Sequence, residues 1–183
     1  NAAQENWPAA PADAAVALAD LEQLGLRLQE VVRVLAAPPR TGLEPVDLGL
    51  AVLQARAEWV APLRRRGLDW VGPEESVDVM ANPAVLKQLL DLALGHAIGL
   101  GRRLEFRVRF FGQPAQAKLL MAAVTPGSEP FASLPGDAAE WHWVLLSALA
   151  LRAGVVAERQ VQSQGVELSL TWPAASGLRR LQK

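Results

Sequence analysis

The 183-residue chain has no cysteine, which rules out a disulfide framework, a thiol nucleophile and a thiolate metal site, and is what a reducing compartment would favour. It also lacks a charge excess: 18 basic residues nearly cancel 19 acidic ones, so no global field draws it to nucleic acid or to an anionic membrane surface. No apolar run approaches the ~20 residues needed to span a bilayer, and the polar start Asn-Ala-Ala-Gln-Glu-Asn is not a signal peptide. Cytoplasm is therefore the expected location. Histidine is scarce, with only His96 and His142. There is no G-x-S-x-G elbow, no H-E-x-x-H, no Walker loop and no dinucleotide fingerprint, so several enzyme classes have no foothold.

What is present is apolar material, 51% of residues against 20% charged, enough to bury a core. The opening Asn1-Ala2 resembles a scar left by tag removal, which leads us to expect a piece of a longer protein with room for membrane segments upstream. Ala14, Ala17, Leu21, Leu24, Leu28, Val31 and Leu35 repeat at spacings of three and four, the seam of a helix that packs on other helices, and Pro38-Pro39 ends it. Glu44-Pro45-Val46-Asp47-Leu48 reads as an extended link into a second helix, with Asp47 as its N-cap and Gly67 as its stop. Leu68–Val71 and Ser76–Met80 are short strand candidates flanking the turn Gly72-Pro73-Glu74-Glu75. A third helix opens at Asn82-Pro83 and runs to Gly99 or Gly101.

The period then changes to two. Leu104, Phe106, Val108 and Phe110 alternate with Arg103, Glu105, Arg107 and Arg109, describing a half-buried strand, with Ala117–Val124 as its antiparallel partner. The four arginines at 102, 103, 107 and 109 read as a solvated outer face. After an irregular loop over 125–136, a fourth helix spans about Asp137 to Arg152, followed by strands Val155–Gln162 and Val166–Trp172. Segregated strands and helices in this order predict an α+β fold, a two-layer sandwich with a mixed sheet covered by helices on one face, preceded by a long N-terminal helix.

That order resembles the catalytic domain of sensor histidine kinases, the Bergerat-fold group of GHKL type. Leu86-Lys87-Gln88-Leu89-Leu90-Asp91-Leu92-Ala93-Leu94-Gly95-His96-Ala97-Ile98-Gly99 is similar to the family's N-box helix, L-x-Q-V-L-x-N-L-L-x-N-A-I-K. Gly165-Val166-Glu167-Leu168-Ser169-Leu170-Thr171-Trp172-Pro173 resembles its closing G-x-x-F-x-L-x-L-P, and Arg152-Ala153-Gly154 its H-G-G. The resemblance also implies losses. Leu92 stands at the first Asn position, His96 at the Mg²⁺-binding Asn and Gly99 at the Lys. Ala123 stands where the D-x-G-x-G motif has the Asp that accepts from adenine, and only its second glycine, Gly127, is kept. In place of the G-x-G-L-G phosphate loop come Asp137-Ala138-Ala139-Glu140-Trp141-His142-Trp143, whose two indoles are expected to fill the triphosphate space.

The domains expected on this basis are a tag remnant and disordered start over 1–12, a dimerisation-type helix over 13–37, the kinase-like domain over 44–173 and a loose tail over 174–183. His96, Gly127 and Asp91 become vestigial nucleotide-site positions, Asp91 lying one residue from the first Asn and so turned ~100° around the helix. Neither histidine resembles a phosphoacceptor box. The resemblance implies a signalling pseudokinase of a two-component pathway. It would form a homodimer through Leu21, Leu24, Leu28, Val31 and Leu35 and dock a response regulator or a partner kinase. No cofactor is expected, with ATP and Mg²⁺ only if the degenerate site still functions. The alternatives are a weakly active kinase or ATPase with a remodelled site, and a degenerate histidine phosphotransfer protein whose acceptor histidine lies upstream.

Overall fold

The structure is a computed structural model, which describes residues 41–98, 100–112, 115–124, 137–162 and 165–173, together with residues 22, 25, 26, 28, 29, 31–33 and 36 near the start. The chain divides into two compact units, Asn1–Ala36 and Ala37–Lys183. In the first, every described position is helical; Leu28 is exposed and Val31 half-buried, while Leu21, Leu24 and Leu35 lie outside the described residues. Gly127, the start over 1–12 and the tail over 174–183 lie outside them too.

The second unit runs β1 (Glu44–Asp47), α1 (Leu48–Arg65), β2 (Asp69–Val71), β3 (Asp78–Ala81), α2 (Pro83–Ala97), β4 (Arg103–Gly112), β5 (Ala115–Val124), α3 (Asp137–Ala153), β6 (Val156–Gln162) and β7 (Gly165–Pro173). Asp47 and Asn82 cap α1 and α2 as their sequence positions predict, accepting from Leu50 N at 2.7 Å and from Ala84 N at 3.0 Å. Gly67, at φ +60°, turns the chain out of α1.

Five strands form one mixed sheet in the order β2-β4-β5-β7-β6, parallel between β2 and β4 and antiparallel elsewhere. Its register places Phe106, Met121 and Leu168 in one row and Val108, Leu119 and Leu170 in the next, all buried. That face carries the helices. Its other face keeps Arg107, Arg109 and their neighbours toward water, so the sandwich has two layers, as the period-two alternation implies.

One element differs from expectation. Glu44–Asp47 is a strand, antiparallel to β3, and not a bare link. Consequently β2 and β3 do not pair with each other across the Gly72–Glu75 turn: β3 joins β1 in a separate two-stranded ribbon, and β2 joins β4. The ribbon is locked to α1, where Leu48 N donates to Val77 O at 3.1 Å and Gly49 N to Ser76 Oγ at 2.8 Å, while the Ser76 hydroxyl also meets Asp47. These bonds satisfy first-turn N–H groups that a helix leaves unpaired.

Candidate functional site

The N-box resemblance places the site on α2, at the end where α3 begins. Along α2, positions 88, 92 and 96 recur at every fourth residue and so share a face. All three are buried: Gln88, then Leu92, then His96, which has no exposed surface. The Nε2 of Gln88 and the Nε2 of His96 have no hydrogen-bond partner among the described residues.

His96 is fixed by one bond, from Nδ1 to the carbonyl oxygen of Ala139 in the first turn of α3, at 2.6 Å. A carbonyl only accepts, so the ring proton sits on Nδ1 and Nε2 keeps a bare lone pair. Trp143 lies against the same ring, with centroids 5.9 Å apart. The Arg159 guanidinium lies over that indole, 5.0 Å from its centroid, and Arg159 Nη1 is 2.6 Å from Glu140 Oε1. Arg159, Trp143 and His96, whose ring is tilted 43° to the indole, thus form a chain of contacts that joins β6, α3 and α2. One residue before His96 on α2, a Cβ on Gly95 would stand 2.8 Å from the His142 ring, so any larger residue there would force that ring to move.

Burial pushes the His96 imidazole below its ordinary value; the bond to Ala139 opposes the shift, Arg159 lowers it further, Glu140 raises it and His142 lowers it. A base whose folded pKa is depressed binds more protons unfolded, so stability rises with pH through the interval beneath the unfolded value of about 6.5. Unfolding in urea should therefore show a midpoint that drops as pH falls below about 6.5 and levels once the folded pKa is passed. A His96→Gln variant should lose that dependence; if it keeps the full slope, another group is responsible.

Asp91 faces elsewhere, as its one-residue offset implies. Its Oδ1 accepts from Trp59 Nε1 at 2.8 Å and its Oδ2 is 3.3 Å from Lys87 Nζ, tying α2 to α1. Hydrogen bonding to Glu58 raises the Lys87 pKa; burial opposes it and Asp91 supports it. Asp91 and His96 are thus on one helix but in different neighbourhoods. Ala123, which the motif comparison aligned with the family's aspartate, is buried in the row between Leu104 and Val166. Among the clefts on the described surface are one of about 640 Å³ along β4 and one of about 310 Å³ between α1 and α2. Neither is lined by His96, Asp91 or Ala123.

Sequence reasoning passed over Trp59, Glu140 and Arg159. The available signal was Arg159 itself: on β6 it occupies the slot between Ala157 and Val161 in the alternation, on the side of the sheet that carries the helices.

Neither a protein-family model nor a curated protein matches the sequence. Solved structures do match. Full-length ShkA in complex with AMPPNP superposes with a TM-score of 0.67 at 18% identity, over 87% of this chain and 37% of that one. The histidine kinase AdeS of Acinetobacter baumannii gives 0.64 at 14% identity, over 86% and 80%. The ATP-binding domain of PrrB from Mycobacterium tuberculosis gives 0.54 at 18%, over 74% and 99%. The chain thus spans little more than a third of the first of these proteins and nearly all of the last. With its mixed five-stranded sheet, the chain has the fold of the GHKL-type histidine kinase catalytic domain.

Proposed function

We propose that this chain is a signalling module of a two-component system that acts by contact, a pseudokinase whose nucleotide site is closed by its own side chains. The observation carrying the reading is the contact of His96 with Ala139. In a kinase of this fold the turn that opens the helix after the glycine-rich loop offers its N–H groups and the positive end of its dipole to phosphates. Here that turn rests on the residue at the Mg²⁺-ligand position and already carries a carboxylate, Glu140, paired with Arg159. A triphosphate would find that turn already packed against α2 through the His96–Ala139 bond. Mg²⁺ calls for hard oxygen ligands, and His96 supplies a softer nitrogen turned into a buried contact.

Signalling by contact needs a way to assemble. The helical positions ahead of Ala36 include an exposed Leu28, which supports a homodimer through the seam Leu21, Leu24, Leu28, Val31 and Leu35. A response regulator or a partner kinase is the docking partner this reading calls for, in the cytoplasm. No described helix is long and apolar enough to cross a membrane.

The test is isothermal titration of the full chain with AMPPNP and Mg²⁺. The expected result is no heat at millimolar nucleotide from protein whose circular dichroism shows it folded. Micromolar binding would overturn the closed-site reading and make the weakly active kinase the better account, with His96 as a remodelled ligand.

A further inference from the structure

The ten residues of β4 are paired along one side with β5, from Arg103 with Val124 to Gly112 with Ala115. On the other side β2 covers only the first three, Asp69–Val71 lying parallel to Arg103–Glu105. From Phe106 to Phe111, no strand among the described residues pairs with that second edge.

The cleft of about 640 Å³ lies there. Every residue from Glu105 to Phe111 borders it, joined by Val71, Gly72, Glu74 and Glu75. Side chains of a strand alternate between faces, so an unbroken run of residues borders one cleft only along the backbone edge. Among the described residues the cleft is therefore the missing continuation of β2, about 20 Å of ladder whose outer backbone N–H and C=O groups no described strand pairs.

Its two flanks differ. On the solvent face, Arg107 is engaged by Glu105 at 3.0 Å, whereas Arg109 forms no ion pair among the described residues, and Phe111 beyond it is exposed. On the face toward the helices stand Phe106 and Val108, both buried, and the half-buried Phe110. The loop carboxylates of Glu74 and Glu75 wall the end nearest β2. A strand laid here would place alternate side chains against arginine and against apolar rings.

We infer that this groove takes one extended peptide segment of a partner protein, added to β4 in line with β2. Acidic side chains of the peptide face Arg107 and Arg109, and apolar ones lie beside Phe106, Val108 and Phe110. Backbone pairing provides the affinity and the period-two alternation provides the selection; Glu74 and Glu75 exclude a further acid at the β2 end. The inference is independent of whether nucleotide binds.

The probe is a displayed library of random nine-residue peptides selected on the 183-residue chain. Enrichment of sequences with acids two apart and apolar residues between them is expected. A synthetic peptide of the leading sequence should bind at least tenfold more weakly to Arg109→Glu, an exposed change that leaves circular dichroism and melting as before. N-methylation of the peptide amides that face β4 should abolish binding, whereas methylation of the alternate amides should not. The idea fails if no sequence is enriched, if enriched peptides lack the alternation, or if binding ignores both the charge reversal and the methylation pattern. It fails equally if the chain is found to pair with its own copy through this edge, a self-association that Arg109→Glu would remove.

Discussion

Putting the kinase asparagines back, as Leu92→Asn with His96→Asn, should weaken the protein by roughly 3–5 kcal/mol and should not restore nucleotide binding. Both side chains are buried, Leu92 at 1% exposure and His96 at 0%. Leu92→Asn removes the apolar burial of a leucine and leaves an amide in an apolar setting; His96→Asn breaks the bond to Ala139 and empties part of the ring's volume under Trp143. On the proposed closed-site reading, no metal or phosphate would offset the burial of these two amides. Urea unfolding followed by tryptophan emission measures the loss, and titration with AMPPNP and Mg²⁺ tests the second half of the claim. A double variant of unchanged stability that binds AMPPNP in the micromolar range would show that the motif residues alone had closed the site.

The second large effect belongs to Gly165, where β7 begins. Its φ is +155°, and a Cβ placed there would lie 1.9 Å from the Ala123 carbonyl oxygen, far inside contact distance. That oxygen is backbone within the β5–β7 ladder, where Ala123 pairs with Val166 and Val124 with Gly165, so it cannot swing aside as a side-chain tip would. Gly165→Ala should therefore cost about 3 kcal/mol or more, by forcing the central pairing of the sheet apart and adding backbone strain. Thermal unfolding with a large fall in midpoint is the expected readout. Gly67→Ala is the useful contrast: it too has positive φ, at +60°, but nothing lies within 4 Å of its added Cβ, so it bears backbone strain alone.

How legible was this in the sequence? The β4–β5 hairpin was, since one of its faces is wet and the alternation of arginine with phenylalanine and valine records it residue by residue. The helix starts were legible too, because Asp47 and Asn82 cap by local bonds that spacing alone implies. The ribbon of β1 with β3 was not. Its bonds join Glu44 to Ala81 and Asp47 to Asp78, and a four-residue stretch containing Pro45 gives no periodicity to announce a distant partner. The same holds at the site. Motif comparison located His96, but nothing local to it names Ala139 as its acceptor, and the tie of Trp59 to Asp91 spans two helices. Composition marks which side chains must be satisfied; only the tertiary fold supplies their partners.

The parallel pairing of β2 with β4 also bears on the order in which the molecule assembles. Hairpins β4–β5 and β6–β7 close across connections at 113–114 and 163–164, so each forms its ladder from near neighbours in the chain. Strand β2 has no such route. It reaches β4 only after the segment 72–102, with β3 and the whole of α2, has been folded over, and it gains three residue pairs for that closure. On these grounds the sheet is expected to form from its hairpins outward, with the short strand at its border the last to pair and the first to exchange its amide hydrogens.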